Sequence, residues 1–112
     1  MSHPTVNLLF VCSQNRLRSP TAEVVFADYP GVTTLSAGTD KDAETPLSGD
    51  LVQWADVIFA MERTHRHKIA QRFGPLLKDK RLVVLDIKDR YGYLDQELIR
   101  VLKTRVPRYV RL

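Results

Sequence analysis

The sequence is poor in cysteine and has no long apolar segment. Cys12 is the single cysteine among 112 residues, which excludes an internal disulfide bond and fits a reducing compartment. No run of apolar residues approaches the ~20 residues that a transmembrane helix needs. Neither a signal-like N-terminus nor a lipidation motif is present. We therefore expect a cytoplasmic protein with no attachment to a membrane.

Patterns that would indicate other ligands are also missing. His65 and His67 are two residues apart in a predicted helix and so point to different faces, which is a poor arrangement for a metal pair. We expect no metal and no other cofactor. The net charge of +4 favours anionic ligands, but no pattern of stacking aromatic residues supports a nucleic-acid binder. We interpret residues 63–72 as a solvated basic helix face and expect His3 to lie in a frayed terminus.

The most informative segment joins an apolar run to a helix start. Residues 6–11 (VNLLFV) have the length and composition of a buried strand. A polar loop follows from Cys12 to Arg18, and Ser19-Pro20 is a typical helix start, with serine as the cap. Strand, loop and helix N-terminus together predict an anion site, because free backbone N–H groups point into such a loop.

Cys12 and Arg18 indicate what this loop does with an anion. The loop N–H groups would hold Cys12 as a thiolate, and the planar guanidinium of Arg18 can bind two oxygens of a phosphate. The alternative for a lone cysteine after an apolar run is a small buried core residue. The strand before Cys12, the polar loop and the helix start after it favour attack of sulfur on a phosphate.

Apolar strands alternate with amphipathic helices along the rest of the chain. Further strands are predicted at 33–36, 57–60 and 82–85, and helices at 20–28, 50–54, 62–73 and from Asp95 to before Pro107. This alternation predicts an α/β fold: a single domain over residues 1–112 with a four-stranded parallel sheet flanked by helices and a phosphate-binding loop after the first strand. In such sheets ligands bind beyond the carboxyl ends of the strands, where Cys12 lies.

Four blocks of the sequence resemble the low-molecular-weight protein tyrosine phosphatases. Residues 11–23 (VCSQNRLRSPTAE) are similar to the Cys-x5-Arg-Ser signature of that family, and the other blocks are residues 36–39 (SAGT), 55–62 (ADVIFAME) and 87–91 (IKDRY). The last block resembles the family's Asp-Pro-Tyr acid loop, with Arg90 in place of proline. The family usually has a longer segment, including another helix, where residues 39–51 stand here.

The resemblance implies a phosphomonoester hydrolase that works through a phosphocysteine intermediate. It implies that Cys12 is the nucleophile, that Arg18 holds the phosphoryl oxygens and that Asp89 is the general acid and then the general base. Asp86 is the competing candidate for the acid, but we expect it to end a strand. The residues expected to bind the substrate are Ser13, Gln14, Asn15, Arg16, Leu17, Ser19 and Tyr91.

Some of these residues have further expected roles. Asn15 can adopt the left-handed backbone that a tight loop requires, and the resemblance implies that it supports the loop through a hydrogen bond with Ser36. Ser19 could donate to the sulfur of Cys12 as well as cap the helix. Arg16 stands where relatives are usually apolar. Arg16 suggests a cationic mouth that prefers substrates with additional negative charge, such as acidic phosphopeptides or nucleotide and RNA-end phosphates. The alternative is that Arg16 points into solvent and changes the preference little.

The expected partner is a phosphorylated substrate, either a phosphotyrosine protein or a small phosphomonoester, bound by a monomer. Two alternatives stay open. Arsenate reduction on the same fold requires additional cysteines, which this chain lacks. A non-enzymatic module that binds phosphate or RNA ends would need neither the thiol of Cys12 nor the carboxyl group of Asp89.

Overall fold

The central feature of the fold is one parallel sheet of four strands. The structure, a computed structural model, describes residues 5–112, so the expectation for His3 lies outside the described residues. The spatial order of the strands is β2-β1-β3-β4, and every neighbouring pair is parallel. The predicted α/β fold with four parallel strands is therefore confirmed. The strands are β1 (Val6–Cys12), β2 (Val32–Gly38), β3 (Val57–Ala60) and β4 (Arg81–Val84).

Helices cover both faces of this sheet. Helices α1 and α4 pack on one face, and α2 and α3 pack on the other. No helix among residues 5–112 is long and apolar enough to cross a bilayer. The helices are α1 (Arg18–Phe26), α2 (Gly49–Trp54), α3 (Arg63–Phe73) and α4 (Gln96–Arg105), and two 3₁₀ turns follow α3 (Gly74–Leu76) and α4 (Val106–Arg108).

The central strand β1 directs its side chains alternately to the two faces. Leu8 and Phe10 are fully buried beneath α1 and α4, and Leu9 and Val11 are fully buried on the side of α2 and α3. This burial on both faces explains why the strand appears in the sequence as a continuous apolar run. Cys12 continues the face of Leu8 and Phe10, so its sulfur lies at the carboxyl end of β1 beside α1.

The predicted start of α1 was wrong by two residues. The helix begins at Arg18, after Leu17, which provides no side-chain cap. Ser19 is therefore buried in the first turn and does not cap the helix. Its hydroxyl lies 2.9 Å from the sulfur of Cys12, so the loop uses the group that the sequence assigned to the helix end.

The other boundaries differ from the prediction by one or two residues at most places. Strand β2 extends beyond 33–36 at both ends because its whole length pairs with β1. Asp95 caps α4 as predicted, and its side chain accepts a hydrogen bond from the N–H of Glu97 at 2.8 Å. Asp86 lies just beyond β4, exposed and with a left-handed backbone (φ 58°), so it does not belong to the strand.

Candidate active site

The segment after β2 holds the loop after β1 from outside. Three backbone N–H groups of this segment each donate to a carbonyl oxygen of the loop. Because the C=O and N–H of one trans peptide unit point in opposite directions, these bonds turn the N–H groups of residues 13–15 towards the inside of the loop. The result is a concave cradle for an anion. The bonds are Thr39 N–H to Cys12 O (2.9 Å), Asp40 N–H to Ser13 O (2.9 Å) and Glu44 N–H to Gln14 O (3.0 Å).

Gly38 allows this close approach of the two segments. A Cβ atom at Gly38 would lie 2.5 Å from the carbonyl oxygen of Ser13 and 2.6 Å from the Cβ of Ala43. Both distances are shorter than any van der Waals contact, so only glycine fits between the loop and the segment that holds it. This contact gives a physical reason for the glycine in the block at residues 36–39.

Asn15 makes the sharp turn of the loop. Its φ of 57° is left-handed, as predicted, so the loop turns without a glycine at Gln14. The turn directs the backbone N–H of Asn15 to the sulfur of Cys12 at 3.3 Å. A backbone donor at this distance stabilises a negative charge on the sulfur.

A buried chain of side chains supplies a second donor to the same sulfur. The amide Nδ2 of Asn15 donates to the hydroxyls of Ser19 and Ser36, both at 2.9 Å, which confirms the contact with Ser36 that the resemblance implied. Ser36 donates in turn to the carboxylate of Glu23. The oxygen of Ser19 already accepts from Asn15, and its proton has two acceptors in reach, the sulfur of Cys12 at 2.9 Å and the carbonyl oxygen of Ala37 at 3.4 Å, of which the sulfur is the nearer. The chain therefore ends in a hydroxyl aimed at the sulfur.

Arg18 is buried (3% exposed) and fixed by contacts on one side of its guanidinium. Its Nη1 donates to Oε2 of Glu62 at 2.6 Å and to the carbonyl oxygen of Ile87 at 2.8 Å. This arrangement leaves the edge formed by Nε and Nη2 for two parallel hydrogen bonds to an anion. Sequence reasoning missed Glu62, although a charged residue just after β3, the strand beside β1, lies where α/β sheets hold their ligands.

Cys12, Arg18 and Asp89 share one cavity of about 430 Å³. The carboxylate of Asp89 is largely exposed, and its Oδ1 lies 3.7 Å from Nε of Arg18. Asp86 lines separate cavities that it shares with Arg105. No three His, Cys, Asp or Glu side chains of residues 5–112 come together as a metal site requires. The residues that line the cavity are Cys12, Ser13, Gln14, Arg16, Leu17, Arg18, Asp40 and Asp89.

Three residues expected to touch the substrate are not among those lining this cavity. Asn15 and Ser19 are buried behind the loop and support it. Tyr91 packs against the core beneath α4 and lines a neighbouring cavity, so the expectation that it walls the site is not met. Arg90, which stands in place of proline, lies against the ring of Tyr91 and within 3.3 Å of its hydroxyl.

The mouth of the cavity carries charges of both signs. Arg16 lines it, and its Nε forms an exposed ion pair with Oε1 of Glu44 at 3.5 Å. Asp40, which sequence reasoning missed, places a second carboxylate in the lining and is 3.9 Å from the Nζ of Lys68. Arg16 is therefore at the mouth as the sequence suggested, but a carboxylate partly neutralises it.

His65 is buried beside the loop. It is 1% exposed, its Nδ1 accepts from the N–H of Glu62 at 3.0 Å, and its Nε2 lies 2.9 Å from the hydroxyl oxygen of Ser13. Burial, assisted by the nearby charge of Arg18, lowers the pKa of His65 from 6.5 to about 4. The ring is therefore neutral at neutral pH.

This shift predicts an acid-sensitive contribution of His65 to stability. In the unfolded chain His65 becomes protonated below about pH 6.5, whereas in the folded chain it stays neutral until the pH falls to its lowered pKa of about 4. The free energy of unfolding should therefore fall as the pH falls through this window, by about 1.5 kcal/mol between pH 6.5 and 5. Urea denaturation of wild type and His65→Gln at both pH values measures it. An equal loss of stability in both proteins would contradict the burial of a neutral ring.

The structure is similar to several solved phosphatases. It matches YwlE arginine phosphatase from Geobacillus stearothermophilus with a TM-score of 0.76 and 24% identity, covering 92% of this chain and 89% of that one. It matches the tyrosine phosphatase Wzb from Escherichia coli K30, in complex with phosphate, with a TM-score of 0.74 and 19% identity over 94% and 96% of the chains. No family model matches the sequence, and no curated protein matches it significantly.

A third similar structure is named as a low-molecular-weight protein tyrosine phosphatase. The low-molecular-weight protein tyrosine phosphatase from T. tengcongensis matches with a TM-score of 0.68 and 18% identity over 89% and 92% of the chains. Together with the cradle after β1, these likenesses define an α/β fold of the phosphatase type. The chain has the fold of the low-molecular-weight protein tyrosine phosphatases, as the sequence blocks predicted.

Proposed function

We propose that the protein hydrolyses phosphomonoesters through a phosphocysteine intermediate at Cys12. The observation that carries this proposal is one cavity that holds a sulfur with two neighbouring donor groups, a guanidinium fixed at its Nη1, and an exposed carboxyl group 3.7 Å from its Nε. A module that only binds phosphate would need neither the sulfur nor the carboxyl group. Release of inorganic phosphate from p-nitrophenyl phosphate by the purified protein tests the proposal.

In the first step the sulfur of Cys12 attacks phosphorus opposite the leaving oxygen. An S–P bond forms and the P–O bond to the leaving group breaks, while Asp89 gives its proton to the departing oxygen. The loop N–H groups and the Nε–Nη2 edge of Arg18 hold the phosphoryl oxygens while charge spreads over them. Glu62 and the carbonyl oxygen of Ile87 keep the guanidinium in place for this contact.

In the second step water displaces the sulfur. Asp89, now ionised, takes a proton from the water as the new P–O bond forms and the S–P bond breaks. Cys12 leaves as a thiolate, and the hydroxyl of Ser19 and the N–H of Asn15 stabilise the charge on its sulfur. Phosphate is released, and Asp89 is again protonated for the next cycle.

The solved relatives support covalent transfer but differ in substrate. A YwlE variant in which serine replaces a cysteine is described with that active-site serine phosphorylated, and we take this as support for covalent transfer. YwlE is named as an arginine phosphatase and Wzb as a tyrosine phosphatase, so this fold serves both P–N and P–O bonds. We propose a P–O substrate here on the resemblance of the four sequence blocks to the tyrosine phosphatases; the mouth, where Arg16 is paired with Glu44 and Asp40 lies in the lining, carries charges of both signs. Cytoplasmic location and a monomeric state stay predictions.

Asp89→Asn should slow leaving-group release by about 10²-fold or more for phenyl phosphate, whose oxygen needs a proton. The loss should shrink for 2,4-dinitrophenyl phosphate, whose leaving group departs without one. The measurement is the rate of leaving-group release in the first turnover, before water attack limits the cycle. Asp86→Asn is the matched control, because Asp86 faces other cavities. A silent Asp89→Asn beside a crippled Asp86→Asn would reverse the assignment of the acid.

Arg16→Leu should reduce any preference for substrates that carry a second negative charge. Arg16 is exposed and paired, so we expect a change of about threefold to fivefold, the size of an exposed charge contact. The measurement is the ratio of kcat/KM for an acidic phosphotyrosine peptide to that for phenyl phosphate at low salt. Glu44→Gln removes the partner of Arg16 and should raise the same ratio. An unchanged ratio in both variants would show that Arg16 takes no part in selection.

A further inference from the structure

One polar contact at the loop is not used by the reaction described above. Ser13 follows the nucleophile directly and lines the cavity, and its hydroxyl oxygen is 2.9 Å from Nε2 of His65. His65 lies in the first turn of α3, which follows β3, and only 1% of its surface is exposed. His65 is buried behind the anion cradle and hydrogen-bonded to one of its residues. The position of the proton in this hydrogen bond therefore decides what Ser13 can donate to an anion.

The direction of each hydrogen bond follows from the groups involved. The backbone N–H of Glu62 can only donate, so Nδ1 of His65, 3.0 Å away, must accept and carries no proton. The single proton of the neutral ring is therefore on Nε2, which donates to Ser13. The oxygen of Ser13 is then an acceptor in this bond, and its own proton is left for another partner. The cavity that Ser13 lines is where that partner binds.

We propose that His65 is a positioning residue that makes Ser13 a hydrogen-bond donor to the phosphoryl group in the transition state. This inference rests on the proposed function. The ring engages the acceptor side of the hydroxyl and so points its proton into the cradle, beside the N–H groups and Arg18. Glu62, which directly precedes α3, also fixes Arg18. Glu62 and His65, at the start of α3, thus orient two donors of the segment after β1, the guanidinium of Arg18 and the hydroxyl of Ser13.

The test is a double-mutant cycle on kcat. Ser13→Ala should lower kcat by about tenfold to 100-fold, the usual worth of a hydrogen bond to a charged group, and His65→Leu should lower it comparably. The variant with both changes should lose no more than Ser13→Ala alone, because His65 acts through Ser13. Losses that multiply in the double variant would overturn the proposal.

Two further comparisons separate positioning from a purely structural tie. His65→Gln can accept from the N–H of Glu62 and donate to Ser13, so its kcat should stay within about threefold of wild type. A donor that acts in the transition state lowers kcat and orthovanadate affinity in Ser13→Ala while KM changes less than about threefold. A loosened cradle would instead raise KM and weaken binding of inorganic phosphate to the same extent. That result, or a His65→Gln as impaired as His65→Leu, would contradict the proposal.

The role of His65 can still be tested if the proposed function is wrong. A wild-type protein that turns over no phosphomonoester but binds orthovanadate refutes the hydrolase, and the same cycle measured on orthovanadate affinity still decides the role of His65. Thermal melts followed by circular dichroism show whether His65→Leu is folded. If it is not, the comparison of His65→Gln with Ser13→Ala decides alone. A wild-type protein that binds neither orthovanadate nor phosphate refutes both proposals.

Discussion

Cys12→Ser should abolish turnover of phosphomonoesters while the protein still binds phosphate. Removing a nucleophile of this kind lowers kcat by about 10⁵-fold or more. The cradle does not depend on the sulfur, because its carbonyl groups are held by residues 39, 40 and 44 and Arg18 is fixed by Glu62 and Ile87. Binding of inorganic phosphate, measured by isothermal titration calorimetry, should therefore stay within about an order of magnitude of wild type.

Cys12→Ala is the control for this experiment, because alanine can form no covalent intermediate. Both variants should lack turnover, and both should retain the phosphate site. Residual turnover above about 1% of wild type in Cys12→Ala would show that water attacks the phosphate directly, with no need for sulfur. Loss of phosphate binding in both variants would show instead that the sulfur is a structural part of the cradle.

Arg18→Lys should lower kcat/KM by about 10²-fold to 10³-fold although the positive charge is kept. An ammonium group cannot offer the two parallel N–H bonds of the Nε–Nη2 edge. It also cannot satisfy Glu62 and the carbonyl oxygen of Ile87 while reaching an anion, as Arg18 does. We therefore expect weaker phosphate binding as well as a lower kcat, measured by steady-state kinetics and calorimetry.

Arg108→Lys is a matched control, since Arg108 is exposed and follows α4, outside the lining of the cavity. It should keep the activity and the melting temperature of wild type. Arg18→Lys should remain folded by circular dichroism, although it loses buried contacts. An Arg18→Lys variant with wild-type kcat/KM would show that charge alone suffices and that the two-pronged contact has no role.

The sequence predicted most of the fold because the strands are buried on both faces. A strand such as β1, which packs Leu8 and Leu9 on opposite sides of the sheet, must be apolar throughout, and a short apolar run is visible without any alignment. The start of α1 could not be predicted this way. Ser19 has the composition of a cap, but its hydroxyl is used by Cys12, and this contact exists only once the loop is folded.

The site was predictable in its loop and not in its surroundings. Cys12, Asn15 and Arg18 stand within seven residues, so their spacing alone indicates the cradle. Glu62 and His65 follow β3 in the chain. Glu62 contacts Arg18 across a sequence separation of 44 residues, and His65 contacts Ser13 across a separation of 52 residues. No local pattern encodes such contacts. An acidic residue two positions after β3 was the signal that could have been used.

Detection of a phosphoryl group on the sulfur of Cys12 tests the central claim most directly. Wild-type protein and Cys12→Ala are mixed with p-nitrophenyl phosphate, quenched within milliseconds and digested, and the peptide that contains Cys12 is examined by mass spectrometry. The account predicts one added phosphoryl group on Cys12 in the wild-type protein, formed at least as fast as the steady-state turnover. Steady-state release of phosphate with no phosphocysteine on this time scale, or with equal turnover by Cys12→Ala, would contradict it.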